Sequence, residues 1–480
     1  MTVWGGLDQL QLENRFRQLP ADLYQSVRPQ PLKNPHLVAF STEAAALIGL
    51  DPCQASAQQL SEYFSGQRLL NGSDPLASVY AGHQFGGYTP QLGDGRAVLL
   101  GDLAGRDGQR WELQLKGSGK TPYSRHGDGR AALRSVIREY LCSEALAALD
   151  VPTTRALCII GSETQIYRES IEFGASMVRM SPSHIRFGHF EYCYYTRRPD
   201  QLKQLADFVI EHHYPHCADQ SNPYLAMYTE VVERTAQLLA RWQALGFCHG
   251  VMNTDNMSIL GVTLDYGPFG FLDEYQPDYI CNRSDERGRY AYKQQPSIAM
   301  WNCVCLAQSL SGLVKQADLE VALNRFQPVY GIAYTELMKQ RLGMEGKTDQ
   351  DGVLIETFLQ LLEQQKADYN NVFVALEQAV AGVMAPINQL LGGAIGFADW
   401  FSQYRQRLSG NATTLMAQHN PRVILRNYLA QQVIERAEQG DFSDLAQLHA
   451  ALKAPFAAHL DIYSQATPEW GKNVSLSCSS

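Results

Sequence analysis

The chain has 480 residues, 45% hydrophobic and 19% charged, the proportions of an ordinary globular protein with room for more than one core. Its formal net charge of −9 argues against nucleic acid as a main partner, because phosphate backbones are held through net basic surfaces. There is no apolar run of about eighteen residues, and the N-terminal MTVWGGLDQLQLENRF reads as neither a signal sequence nor a transit peptide, so no membrane role and a cytoplasmic location are expected. Ten cysteines are scattered without a CxxC pair, which indicates neither a zinc ribbon nor a disulfide scaffold.

Residues 1–78 contain the Pro-punctuated QSVRPQPLKNP and the amphipathic STEAAALIGL and SAQQLSEYFSG. They read as an arm and short helices, an N-terminal extension packed on the rest. YAGHQFGG at 80–87 then leads into TPQLGDGRAVLLGDLAG, a Gly-rich turn between apolar runs. Backbone N–H groups around Gly93 and Gly95, with Arg96 beside them, suit a phosphate, although a plain hairpin turn has the same residues. WELQLK alternates as a half-buried strand, with Leu113 and Leu115 on one side and Lys116 at its end. The following loop, GSGKTPYSRHGDGRAAL, carries Asp128 and Gly129 but lacks the glycine spacing of a Walker loop.

A helix is expected from about residue 130 to 149, with Leu133, Ile137, Leu141 and Leu146 as its apolar stripe and Glu139 in its middle. A strand-end lysine followed by a mid-helix glutamate is the arrangement of the kinase Lys–Glu pair, and two surface charges is the commoner alternative. TTRALCII, TQIYRES and ASMVRM read as three strands. Arg179 ends the last of them and Arg186 lies in the next loop, each a candidate phosphate ligand or a structural ion pair. From about residue 201 the pattern is helical, giving a β-rich lobe over 79–200 and a helical lobe over 201–480.

The most informative run is CHGVMNTDNMSILGVTLDYG, 248–267. Kinases read His-Arg-Asp, an Asn five residues later, then Asp-Phe-Gly. Here His249 opens the pattern, Asn256 and Asp265-Tyr266-Gly267 follow in place, and Val251 stands where the catalytic base belongs. Valine accepts no proton, so either chemistry is lost or it has moved to Asp255, beside Asn256. Two functions remain open from the residues alone: a phosphotransferase whose base has moved, and a silent nucleotide-binding scaffold.

Several ordered runs together resemble the selenoprotein O family of protein-kinase-like proteins: YAGHQFG at 80–86, KGSGKTPYSRHGDGRA at 116–131, SHIRFGHFEY at 183–192, HGVMNTDNMSILGVTLDYGPFGF at 249–271 and NPRVILRNYLAQQ at 420–432. The resemblance implies an α+β, two-lobed kinase-like fold and transfer of AMP from ATP to Ser, Thr or Tyr hydroxyls of proteins, with ATP reversed relative to kinases. It further implies that Lys116, oriented by Glu139, and Arg179 and Arg186 hold the outer phosphates. Gly93, Gly95, Arg96, Asp128 and Gly129 complete the nucleotide site, Asn256 and Asp265 hold Mg²⁺ or Mn²⁺, and Asp255 is the base. Many eukaryotic members carry selenocysteine near the C-terminus, where this chain has Cys478 in a small polar tail. A regulatory disulfide between Cys478 and Cys281 is one expectation, and an unpaired tail thiol without a role is the other.

Overall fold

The computed structural model describes residues 5–106, 108–458, 461–474 and 476–477. The chain enters with strands β1 (Tyr24–Ser26) and β2 (His36–Phe40), helices α1 (Thr42–Leu47) and α2 (Ala57–Phe64), and strand β3 (Leu76–Ser78). A small hairpin follows, β4 (Gly82–Gln84) and β5 (Gly87–Thr89), then β6 (Ala97–Ala104), β7 (Arg110–Lys116), β8 (Ala131–Ala132) and helix α3 (Leu133–Ala148). Strands β9 (Arg155–Gly161), β10 (Gln165–Tyr167) and β11 (Ile171–Ser181) complete a nine-stranded sheet of order β1-β3-β6-β7-β11-β9-β2, with β8 and β10 paired to β11.

The period of two along these strands sorts the residues to two faces. Val98, Leu100, Leu113, Leu115, Val178 and Met180 pack with Leu7, Leu12, Ile48, Leu60 and Phe64 in one core. Gln114 and Lys116 therefore face the other way, and the β7–β11 register sets Arg179 opposite Gln114 and Met177 opposite Lys116. That second face meets α3, whose Val136, Ile137, Tyr140 and Leu141 belong to the large core shared with the helical lobe.

The first 78 residues are thus more than an extension packed on a finished lobe. They supply three strands of the sheet, including both edges, and cover an apolar face that is otherwise open to water. Sequence reading missed this because β1 and β3 are only three residues long, too short for alternation to register. The α3 helix also starts later than expected, since Ala131 and Ala132 pair with Ala175 and Gly174 before it begins.

The helical lobe opens with α4 (Phe187–Tyr195), α5 (Pro199–His213) and α6 (Pro223–Leu245). The α6 start is set by Asn222, whose side chain accepts from Leu225 N–H, and by Pro223 in the first turn. Its end is set by Gly246 at φ +71, a left-handed cap. Strand β12 (Phe247–Cys248) then pairs with β13 (Gly270–Phe271), closing residues 249–269 between them into a loop below the sheet. Helix α7 (Gln295–Leu310) pins that loop, with Gln295 accepting from His249 N–H and Asn302 donating to Met252 O. Helices Asp351–Gln365, Tyr369–Val380, Ala385–Leu391 and Phe397–Arg407 build a third core around Phe358, Phe373, Trp400 and Tyr404, while Gln316–Leu323, Asn427–Glu438 and Ser443–Lys453 join the large one. Among the described residues no helix is long and apolar enough to cross a membrane.

Candidate active site

A cavity of about 640 Å³ lies between the sheet and the β12–β13 loop. Its wall includes Gly93, Gly95, Arg96, Lys116, Asp128, Gly129, Arg179, Arg186, Val251, Asp255, Asn256 and Asp265. Every candidate chosen from the sequence except Glu139 therefore reaches one space. Glu139 sits behind the wall, where it orients two of the cations.

The cationic side is one buried network. Lys116 Nζ is ion-paired with Glu139 Oε2, and Arg179 donates to Glu139 Oε1 through Nε at 2.9 Å and Nη2 at 2.6 Å. The same Arg179 Nη2 lies 2.6 Å from Asp265 Oδ1, while Arg186 Nη1 pairs with Asp265 Oδ2 and donates to Asp255 O at 2.7 Å. Burial opposes the charge on Asp265, but Arg179, Arg186 and Lys116 outweigh it and hold the carboxyl well below its usual range. Burial, with Arg179 and Arg96 nearby, lowers Lys116 to about 8 despite its pairing with Glu139. A buried cluster with this many cations around the carboxylates is built to receive further negative charge. Arg186 Nε is buried without a partner, and Arg96 is exposed with no carboxylate among the described residues.

The Gly-rich stretches serve packing as well as backbone approach. A Cβ on Gly93, at φ +138, would lie 2.6 Å from the Tyr123 ring, and one on Gly95 would lie 2.8 Å from Tyr123 O. The intervening Asp94, unremarked in the sequence, turns inward and accepts from Ser78 N–H and Oγ–H at 2.8 and 2.7 Å. Asp128 is ion-paired with Arg168 at 2.9 Å and its Oδ1 accepts from Arg130 N–H, so it shapes the loop around Gly129.

On the opposite side, Asp255 stands in a short 3₁₀ turn, Thr254–Asn256, with its residue only 7% exposed. Its Oδ2 accepts from Gln84 Nε2 at 3.1 Å, and its Oδ1 is buried with no partner. Burial raises this carboxyl to about 7, against the lowering effects of Gln84 and Arg186. The β4–β5 hairpin roofs it closely, since a Cβ on Gly82 would meet Asp255 Oδ1 at 2.4 Å. The hairpin is anchored in turn: His83 N–H donates to Thr254 Oγ1 at 2.7 Å, and His83 Nδ1 lies 2.5 Å from Glu191 Oε1. Gln84, His83 and Glu191 were not singled out although YAGHQFG and SHIRFGHFEY stood out as motifs; nothing in either run says which residue faces the Asp255 carboxylate.

Asn256 donates its Nδ2 to Val251 O at 3.0 Å, which fixes the amide and leaves Oδ1 as its remaining polar atom. Asn256 and Asp265 both line the cavity and offer only oxygen, the donor class that Mg²⁺ and Mn²⁺ take, so the residues present fit a hard divalent ion. Asp265 also holds φ +61, uncommon for a residue with a side chain and in keeping with a functional position.

The family model described as "Protein adenylyltransferase SelO" matches residues 7–453. The chain belongs to the SelO family. Proteins called "Protein nucleotidyltransferase YdiU" from Pseudomonas fluorescens Pf0-1 and Ectopseudomonas mendocina ymp are 48% and 49% identical to this SelO member over 484 aligned residues, covering 99% of each chain. A third, from Pseudomonas putida W619, is 49% identical over 483 residues. Among solved structures, ROP2 of Toxoplasma gondii, described as having a protein-kinase fold and no enzymatic activity, matches 70% of the chain at 9% identity with a TM-score of 0.24. The α+β arrangement expected from the sequence, a β-rich part followed by a helical one, is the one observed in this SelO chain, with Lys116 and Glu139 paired across β7 and α3.

The cysteines complete the comparison with the sequence. Among those described, Cys53 is exposed and the other eight are buried. Cys281 Sγ lies 3.5 Å from Cys248 Sγ, and burial pushes its thiol well up. Cys478 lies outside the described residues.

Proposed function

We propose that this chain is a protein adenylyltransferase that moves AMP from ATP to Ser, Thr or Tyr hydroxyls, with Asp255 as the general base. The observation that carries the reading is the pairing of Val251, which accepts no proton, with Asp255, whose Oδ1 is buried and unpartnered on the wall of the same cavity. ATP enters with its β- and γ-phosphates toward Lys116, Arg179, Arg186 and Arg96, which turns the α-phosphate toward Asp255. This is the reverse of the kinase orientation. The acceptor oxygen forms a bond to Pα as the bond from Pα to the bridging oxygen breaks. The hydroxyl proton passes to Asp255, and pyrophosphate leaves into the cationic network.

Asn256 and Asp265 would hold Mg²⁺ or Mn²⁺, and a bound divalent ion supplies neutralisation of phosphate charge. Glu139 has no contact with substrate in this scheme; it fixes the heads of Lys116 and Arg179 so that the phosphate chain meets them already oriented. Gly93, Gly95 and Gly129 let backbone come close to the nucleotide, and Asp128 holds the loop around Gly129 through Arg168.

Incubation with divalent cation and ATP labelled at either the α- or the γ-phosphate tests the reading. Label retained on protein from the α position alone is expected; label from the γ position alone contradicts it. A Cys281–Cys478 disulfide remains part of the proposal as a regulatory bond, with the Cys248 thiol 3.5 Å from Cys281 as the competing partner. Non-reducing peptide mapping after peroxide treatment tells the two linkages apart.

A further inference from the structure

Beside the roof over Asp255 lies a band of aromatic and aliphatic side chains that the chemistry above does not use. Phe85, the residue after Gln84, is 43% exposed, Tyr195 on α4 is 36% exposed and Val304 on α7 is 42% exposed. They form a continuous band. Tyr88 lies 4.2 Å from Tyr195 between ring centroids, His83 bridges Tyr195 at 5.9 Å to Trp301 at 5.4 Å, and Val304 follows Trp301 by three residues on the same helix face. The Tyr88 hydroxyl is buried with no hydrogen-bond partner.

One cation lies in this band. The Arg289 guanidinium lies over the Trp301 ring at 4.7 Å and within 3.4 Å of where a Cβ on Gly86 would stand, at the hairpin tip. Its Nε is buried without a partner, and it makes no ion pair among the described residues. The carboxylate four residues before it, Asp285, is occupied by backbone, accepting from Arg289 N–H at 2.9 Å and Tyr290 N–H at 2.7 Å. The hairpin tip is itself held in place: Phe85 adopts φ +50, and its N–H donates to Tyr290 Oη at 2.9 Å. Tyr290 Oη donates to Asn253 Oδ1 at 2.6 Å, which ties the band to the loop that carries Asp255.

We infer that this band is the docking surface for the acceptor polypeptide, and that Arg289 selects acceptors with an acidic residue flanking the modified hydroxyl. The inference rests on the AMP-transfer reading above and names the partner of that site. A hydroxyl that reaches Asp255 from outside brings its flanking residues across the hairpin tip, because Gln84 contacts Asp255 and Phe85 follows it into solvent. Phe85, Tyr195, Trp301 and Val304 offer apolar area to neighbouring side chains, as an interface core does. A half-buried guanidinium on an aromatic face, with a donor to spare, recognises a carboxylate better than an exposed lysine would. The chain as a whole carries a net charge of −9, so long-range attraction does not draw acidic partners in and the selection is local.

The test uses the full chain, α- and γ-labelled ATP, and two short synthetic peptides that share a central hydroxyl and an aromatic neighbour but carry flanking Asp/Glu or Lys/Arg. The wild-type protein is expected to show a KM about tenfold lower for the acidic peptide. Arg289→Ala removes most of that difference with the KM for ATP unchanged, and Arg289→Glu reverses the preference. Val304→Lys raises the KM for both peptides and leaves ATP binding alone. Melting temperature and ATP affinity of each variant guard against misfolding. Transfer of α-label with equal KM for the two peptides, or an Arg289→Glu protein that still prefers the acidic one, overturns the docking inference while AMP transfer stands. Label arriving only from the γ position overturns AMP transfer, and the Arg289 preference then decides the docking surface by itself.

Discussion

Asp265 and Asp255 are ten residues apart in the chain and line one cavity, yet their surroundings push them in opposite directions. Asp265 is held by two arginines, each on one of its oxygens, and stays ionised far below neutrality. Asp255 has a single neutral donor, Gln84, and a buried bare oxygen, and burial lifts it to about 7. Two carboxylates driven apart in this way suit two jobs. In the proposed mechanism the first is a fixed charge that orients the arginines and would help hold the divalent ion; the second is a proton acceptor kept under-solvated until an acceptor hydroxyl arrives. The same contrast runs through their supports, a rigid sheet and helix behind Asp265 and a small glycine-bearing hairpin over Asp255.

Breaking the Asp265 side has the largest effect. Asp265→Ala leaves Arg179 and Arg186 without their shared carboxylate, and transfer of α-label is expected to fall by about a thousandfold or more. Loss of one partner of a buried ion pair also lowers stability by about 3–5 kcal/mol, read as a drop in melting temperature that Asp265→Asn moderates. Activity within about threefold of wild type in either variant breaks the division of roles.

The roof is the next lever. Gly82→Ala places a Cβ against Asp255 Oδ1, and turnover is expected to drop about ten- to a hundredfold with ATP affinity little changed. If instead ATP affinity collapses and turnover per bound nucleotide holds, the hairpin belongs to the nucleotide side. Gln84→Leu removes the one donor to Asp255 and leaves the network around Asp265 intact; a fall of about tenfold in turnover is expected, with no change in ATP binding.

The smallest effect is thermodynamic and is read in metal-free buffer. A carboxyl whose folded pKa lies near 7 while its unfolded value is about 3.9 binds its proton more tightly in the folded state. Its favourable contribution is present at low pH and is lost as pH rises from about 4 through about 7. Asp255→Asn is therefore expected to raise the melting temperature at pH 8 by a few degrees more than at pH 5. An equal change at both values shows that Asp255 is not raised.

Much of the cationic side was legible in the sequence. Strand alternation in WELQLK put Lys116 at a strand end, helical spacing put Glu139 inside α3, and order along the chain brought Asn256 and Asp265 together. These signals are local and periodic, so they survive without a structure. The acceptor side was hidden for the opposite reason. Gln84, His83, Glu191 and Arg289 make contacts between residues 108 to 171 positions apart, or stack on Trp301, and none follows from spacing. The first 78 residues were undervalued similarly, because a three-residue edge strand carries too little pattern to reveal which sheet it completes.

The central claim is that Asp255 takes the proton. Single-turnover transfer of α-labelled AMP, compared between the wild-type protein and Asp255→Asn with ATP affinity measured on the same preparations, addresses it most directly. The account predicts transfer about a hundred- to ten-thousandfold slower in the variant, with ATP bound as well as before. A variant that transfers AMP at the wild-type rate contradicts it.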